Sequence, residues 1–461
     1  MKKQSKSAGP IAIGALVLGC LVAGLLQTIV LQIQDDFPEL LQAPREVTGW
    51  IVTITILAAC AFSPVSSRLG DMLGRKNVIV GLLFIMAAGS LVSAMAPNVW
   101  VLIVGRAFQG LAIGVIPLAI SVMKDIVAPE KLGGAIALAS GTLGIGSALG
   151  LPIGAVINEA TSWRGIFWTC FILGILAACA IYFTVPATQM RASGSFDVVG
   201  AVGLGLGVTA LLIGLAQSLS WGWLAAPTLF TLGAGIGILA LTMVHLFKKR
   251  EPIIDIRASL SSRVLLTNMA ALLMNFSMMG VNIVFPQLMA LPADAPAGLG
   301  VDRVISGLVM MTSGVITALA TPLIARLSSR FGPKNLMLLG TVIVAISICS
   351  SLFIPWSSGL IFAINVGLGL GFGMAFASMP QIIMESVDRS RSAAANGVNA
   401  QLRFFGTAMA SAVIAAVLAK WSVPFGDGTV PTEAGTYLAI GLCSAGAVLA
   451  VILSALIPTK D

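Results

Sequence analysis

Three features predict an all-α, polytopic membrane protein of fourteen spans, built as two six-helix bundles with a two-helix hairpin between them. The composition cannot cover a water-soluble surface. The basic residues gather on one side of a regular series of apolar runs. One loop sequence returns later in the chain at a fixed offset, the mark of a duplicated bundle related by a pseudo-two-fold axis.

The composition sets the class. Hydrophobic residues make up 57% of the chain and charged residues only 10%. The mean hydropathy is +1.01. Too little polar surface is available to cover a soluble globule of this size, so the lipid bilayer is the expected partner. The net charge of +8 would suggest nucleic acid in a soluble protein. Here the basic residues sit in loops between apolar runs, so they report topology and no nucleic-acid partner. Cys20, Cys60, Cys170, Cys179, Cys349 and Cys443 all fall inside apolar runs without metal or redox spacing, and they read as packed thiols.

Apolar runs of about 20 residues mark the spans. Lys2, Lys3 and Lys6 precede the first run, 11–34, which is too long for a signal-peptide core and reads as span one. The others run near 49–67, 78–97, 100–123, 132–157, 165–186, 197–218, 226–246, 264–290, 304–325, 335–355, 358–382, 393–419 and 435–458. With both termini in the cytoplasm, only Arg45, Arg164, Arg303 and Lys420 of the 26 Lys and Arg fall outside. Arg106 and Arg403 fall within spans, and all the rest lie inside, an asymmetry that fixes the orientation in a plasma (inner) membrane. All eight tryptophans then lie at or near outer ends, where indole rings favour the interface.

The loop at Ser67–Lys76 organises the rest. Asp71 to Gly74 reads as a type I turn, with Asp first and Gly fourth. Arg68, Arg75 and Lys76 surround it. The same frame begins again at Arg326, an offset of 258 residues from Arg68. Pro64, Arg68, Leu69, Gly74, Lys76 and Asn77 match Pro322, Arg326, Leu327, Gly332, Lys334 and Asn335. Six spans with short loops need roughly 190 residues, so the offset leaves room for two more. The surplus is the stretch from Asp197 to His245, followed by the longest inner connection. This gives an N-terminal bundle over 1–190, an inserted hairpin over 191–250 and a C-terminal bundle over 251–461. Parallel repeats of this kind are a transporter signature.

Polar residues inside spans are costly and tend to face a cavity. Span one carries Gln27, Thr28, Gln32 and Gln34, and Thr28, Gln32 and Asp35 share a helical face by spacing. Span nine carries Asn268, Asn275 and Asn282 seven apart, flanked by Met278 and Met279. Span thirteen carries Asn396, Asn399 and Arg403 on one face. Gln27, Thr28, Gln32, Arg106, Gln109, Asn275, Asn282, Asn399 and Arg403 are therefore the expected cavity residues. Interhelical hydrogen bonding is the competing reading for each Asn and Gln. Gly141, Gly144, Gly146, Gly150 and Gly154 strip side chains from much of span five, and Pro152 permits a bend.

These motifs carry a family resemblance. Arg68 to Lys76 resembles the loop signature between the second and third helices of the major facilitator superfamily, with Ser67 where that signature usually has Gly. Arg106-Ala107-Phe108-Gln109-Gly110 is similar to its fourth-helix motif. The stretch Gly146 to Gly154 resembles the fifth-helix antiporter motif, although Leu151 separates a Gly and Pro that are normally adjacent. Trp163 to Phe167 matches the start of helix six in the fourteen-span drug:proton antiporter branch.

The resemblance implies secondary transport by alternating access. It implies export of small amphipathic compounds in exchange for protons, by a monomer. Arg68, Asp71, Gly74, Arg75 and Lys76 would form the conformational switch, with Asp71 pairing with basic groups or a helix N-terminus across the gap between halves. Gly146, Gly150, Pro152 and Gly154 would form the bending fifth helix. The acid that the branch carries in helix one is missing, since Leu25-Leu26-Gln27-Thr28 stands there. Asp35, Asp36 and Glu159, near the outer mouth, become the candidates for proton coupling. With no acid deep in a span, the cavity is expected to prefer neutral, zwitterionic or anionic compounds over lipophilic dications.

Other classes find less support. An importer or facilitator, or a receptor on the same fold, remains open. The chain has one histidine, His245, no Walker-type loop and no metal-binding cluster, so neither enzyme chemistry nor a cofactor is expected.

Overall fold

A computed structural model of the chain describes residues 10–187, 196–249, 260–387, 392–425 and 428–459. The long helices in chain order are α1 (Pro10–Thr28), α2 (Trp50–Leu73), α3 (Arg75–Ala94), α4 (Val99–Ile126), α5 (Pro129–Ala160), α6 (Trp163–Thr184), α7 (Val198–Trp221) and α8 (Ala226–Lys248). They continue with α9 (Ser262–Ala290), α10 and α11 (Arg303–Ser350, divided at Gly332), α12 (Ser358–Ser386), α13 (Ser392–Lys420) and α14 (Glu433–Leu456). Among the described residues, twelve helices are long and apolar enough to cross a membrane. In the first half of Arg303–Ser350, the apolar stretch Ile305–Thr321 is shorter.

Burial divides most of these helices into two sets. One apolar cluster draws on residues from Ala12 to Val185, with Met384 added. The other draws on residues from Ala270 to Ile457. Close approach inside each set relies on small residues. A Cβ on Gly89 would stand 2.6 Å from the Gly105 carbonyl, locking α3 to α4. In the second set the same device joins α11 to α12, where a Cβ on Gly340 would stand 2.5 Å from the Gly371 carbonyl.

The loop at Gly74 is tighter than the sequence predicts. No type I turn forms from Asp71 to Gly74. Helix α2 continues through Asp71 to Leu73, and α3 begins at Arg75. Gly74 alone joins them, with φ 96° and ψ 122°, while its N–H donates to the Gly70 carbonyl at 3.1 Å. Helix propagation wins over the turn because each added residue gains an i→i−4 bond until a residue with positive φ interrupts it. The second copy repeats the device: Gly332 has φ 75° and ψ 161° between α10 and α11. An added Cβ at Gly332 would meet nothing within 4 Å, so strain alone opposes a side chain there. Gly332→Ala is therefore expected to lower stability by about 1–3 kcal/mol, the range for a non-glycine residue in this region, readable as a lower thermal midpoint.

Helices α7 and α8 pack on each other and turn at Gly222, which has φ 93°. Helix α7 also rests on both bundles. Val208 and Leu212 pack with Leu57 and Cys60 of α2 and with Phe405 and Ala408 of α13. At the end of the pair, His245 Nε2 lies 2.9 Å from Asp197 Oδ1. Asp197 also caps α7 by accepting from the Gly200 N–H at 3.1 Å.

Two features depart from the span reading. Helix α1 ends at Thr28, and residues 31–36 form a 3-10 turn. Gln32 and Asp35 therefore leave the α-helical spacing that would align them with Thr28. A small antiparallel hairpin, β1 (Ser422–Phe425) with β2 (Gly428–Pro431), stands between α13 and α14, with Val423 opposite Val430. The six cysteines are all free; four are buried and Cys179 and Cys349 are half-buried.

Candidate functional site

Three polar groupings lie where helices meet. The first is at the Gly74 end. Asp71, in the last turn of α2, is 2% exposed and accepts from Arg75 Nε at 3.0 Å and Nη2 at 2.7 Å. Arg75 Nη1 donates to Asp125 Oδ2 at 2.7 Å and to the Ser121 carbonyl at 3.4 Å. One buried guanidinium thus ties the ends of α2, α3 and α4 together. One basic partner of Asp71 is Arg75, in the same bundle. Arg68 is also buried, whereas Lys76 extends over the Tyr182 ring, 5.3 Å from its centroid. Asp125 was not singled out from sequence. Its position in the last turn of α4, directly after Lys124, was the available signal.

The second grouping is inside the first bundle. Arg106 is 1% exposed. Its Nε donates to the Ile51 carbonyl at 3.1 Å and its Nη1 to Gln109 Oε1 at 2.7 Å. Gln109 Nε2 donates to Ser90 Oγ at 2.7 Å. Arg106 and Gln109 therefore pin α4 to α2 and α3. Removing the Gln109 amide would leave an arginine donor buried without that acceptor. Gln109→Leu is expected to lower stability by about 1–3 kcal/mol, to be read by thermal unfolding in detergent.

The third grouping is in the second bundle. Asn399 Nδ2 of α13 donates to Asn268 Oδ1 of α9 at 3.0 Å. One turn further along α13, the Arg403 guanidinium lies 4.1 Å over the ring of Phe376 on α12. Phe376 stacks on Phe372, with centroids 5.4 Å apart. Asn275 is buried and donates to its own helix at Ala271. Asn282, two heptads on from Asn268, is exposed. Phe376 is the member that sequence reasoning missed, since one ring among twenty phenylalanines carries no pattern.

The remaining sites lie around α1 and α5. Gln27 and Thr28 are half-buried. Asp36 and Glu159 are exposed at the far end from Gly74. The side chains of Gln32, Asp35 and Pro152 lie outside the described residues. Gly146 and Gly150 face α1, and Gly154 faces Ile29 just beyond its end. A Cβ on Gly146 would stand 2.5 Å from the Leu21 carbonyl, and one on Gly150 would stand 2.9 Å from both Leu25 O and Ile29 N. Further along α5, toward its start, Gly141 faces Thr321 of α10. Other contacts between the sets include Ser63 Oγ donating to the Gly397 carbonyl at 3.3 Å and Lys124 Nζ donating to the Met384 carbonyl at 2.6 Å.

The family model described as Major Facilitator Superfamily matches residues 11–411 and, a second time, 267–460. The chain belongs to the major facilitator superfamily. A Multidrug resistance protein B homolog from Mycobacterium tuberculosis is 26% identical over 372 residues, covering 80% of this chain and 68% of that one. The Tetracenomycin C resistance and export protein of Streptomyces glaucescens is 26% identical over 412 residues, covering 88% and 75%. Among solved structures, the proton:xylose symporter XylE superposes with a TM-score of 0.69 at 14% identity, covering 97% of this chain and 95% of that one. That likeness shows the fold.

Proposed function

We propose that this superfamily member is a secondary active exporter of small amphipathic compounds, working by alternating access in exchange for protons. The observation that carries the reading is the pair of separate buried clusters meeting along small-residue seams, α2 on α13 and α5 on α10. Two bundles with independent cores can rock about such seams without repacking either core. The drug-resistance and export names of the relatives favour export as the direction. Twelve apolar helices, together with α5 and the stretch Ile305–Thr321, support fourteen spans, with α7 and α8 as an inserted hairpin beside two six-helix bundles. The positive-inside pattern supports an inner-membrane protein with both termini in the cytoplasm. Arg68, Asp71, Gly74, Arg75 and Lys76 act as the conformational switch, with Arg75 and Asp71 bracing the α2–α3–α4 junction beside the contacts that Ser63 and Lys124 make with the second bundle.

Proton coupling rests on Asp35, Asp36 and Glu159. Inverted vesicles loaded with the chain should accumulate a fluorescent drug-like dye when the interior is acidified, and lose that uptake when the gradient is collapsed. The triple variant Asp35→Asn, Asp36→Asn, Glu159→Gln should retain dye binding and lose gradient-driven uptake. Full uptake by the triple variant would move the coupling site elsewhere. Uptake that never depends on pH would remove the antiporter reading.

A further inference from the structure

We propose that Arg403, seated on Phe376, is the binding site for an organic carboxylate. The inference rests on the transport reading above and names the substrate class.

Two arginines lie deep in spans, and the structure separates their roles. Arg106 donates to the Ile51 carbonyl and to Gln109, so its donors are used in holding the first bundle together. Arg403 makes no side-chain hydrogen bond and no ion pair among the described residues. Its Nε is buried and has no acceptor. An unsatisfied, permanently charged donor at this depth is costly. It lies roughly 16 Å along the helix axis from Ser392, counting about 1.5 Å per residue. Neither α9 nor α13 contains an acidic residue. In α12 the one acid, Glu385, is at the end of the helix and pairs with Arg263 at 2.7 Å. Among the described residues no acid of α9, α12 or α13 supplies a countercharge to the half-buried Arg403, which leaves that role to a ligand.

The surroundings suit a carboxylate. The Phe376 ring holds one face of the guanidinium and is itself backed by Phe372. Stacking of this kind fixes the plane and leaves the edge free for two parallel bonds to a carboxylate. The Asn268–Asn399 pair lies one turn away on the same face of α13, where it can take further polar groups of the ligand. A lipophilic cation would meet an uncompensated guanidinium here and be rejected.

The test measures binding and leaves transport aside. Purified full-length chain in neutral detergent is titrated with 2-naphthoate, 2-naphthamide and 2-naphthylmethylammonium, and affinity is read from the rise in thermal midpoint. Wild type should bind the acid at least ~10-fold tighter than the amide, the difference made by a charge-assisted pair. Arg403→Gln should remove that preference, Arg403→Lys should restore part of it, and amide affinity should stay level. Equal affinity for acid and amide in wild type, or an acid preference that survives in Arg403→Gln, overturns the proposal. So does binding of none of the three probes. Stabilisation by phosphatidylglycerol that depends on Arg403, with none by naphthoate, overturns it in favour of a lipid phosphate. Where Arg403→Gln gives no folded peak on gel filtration, the wild-type selectivity and Arg403→Lys decide the outcome. A chain that pumps a dye but does not distinguish acid from amide refutes this site alone. A chain that binds naphthoate through Arg403 yet transports nothing keeps the site and refutes the transport reading.

Discussion

Asp71→Asn is expected to reduce transport to background while substrate binding persists. The carboxylate is buried, and it accepts two bonds from Arg75. Arg75 in turn holds Asp125. Removing one member of a buried ion pair leaves the other undercompensated and typically costs about 3–5 kcal/mol. That loss falls on the junction of α2, α3 and α4, next to the contacts that Ser63 and Lys124 make with the second bundle. The expected signature is a lower thermal midpoint, normal ligand-induced stabilisation and no gradient-driven uptake. Ser329 stands at the equivalent place in the second copy, where its exposed hydroxyl donates to the Arg326 carbonyl of its own helix. Ser329→Ala should change stability by no more than about 0.5 kcal/mol and leave uptake intact. Asp71→Asn behaving like Ser329→Ala would show that the Gly74 network is a structural brace without a part in the cycle.

Gly150→Leu is the second change expected to stop transport. A Cβ there already falls within 2.9 Å of backbone atoms in α1, and the neighbouring glycine at 146 is as tightly enclosed. Backbone cannot give way as a flexible side chain can, so the helices must separate. Overpacking of this kind costs about 1–3 kcal/mol in soluble cores, and more where two helices are pushed apart along several turns. Helix α5 also contacts α10 through Gly141, so the displacement reaches the seam between bundles. Gly233→Leu on α8 makes the control, since an added Cβ there meets nothing within 4 Å. Uptake in inverted vesicles and the thermal midpoint should both fall for Gly150→Leu and hold for Gly233→Leu. Normal uptake in Gly150→Leu would mean that α1 and α5 are free to part without consequence.

The positions of the helices were legible because apolar runs, basic loops and interfacial tryptophans all constrain the same boundaries. The repeat was legible because Gly74 and Gly332 each occupy a backbone conformation that disfavours any side chain. The turn at Asp71 is misleading because Gly favours both the last position of a β-turn and the C-terminal end of a helix. Only the hydrogen-bond ladder of α2, running on to Gly74, distinguishes the two. The hairpin at Ser422–Pro431 carried a signal that went unused, with Val423 and Val430 flanking Gly426-Asp427-Gly428. The polar groupings were legible as residues and not as partners. Spacing could align Asn399 with Arg403, yet it could not show that one arginine is tied to a carbonyl and a glutamine while the other rests on a phenylalanine.

The burial of the native thiols also makes the chain a ready background for spectroscopic labelling. Four cysteines are enclosed by packing, Cys179 stands half-buried within α6, and Cys349 is half-buried in the last turn of α11. A water-borne maleimide should therefore react slowly with the unaltered chain. One cysteine introduced at Thr429 on the hairpin and another at Ser162, ahead of α6, would then carry a donor and an acceptor dye on opposite bundles. The distance between the dyes would follow the opening and closing of one molecule in real time, without first stripping the protein of its own cysteines.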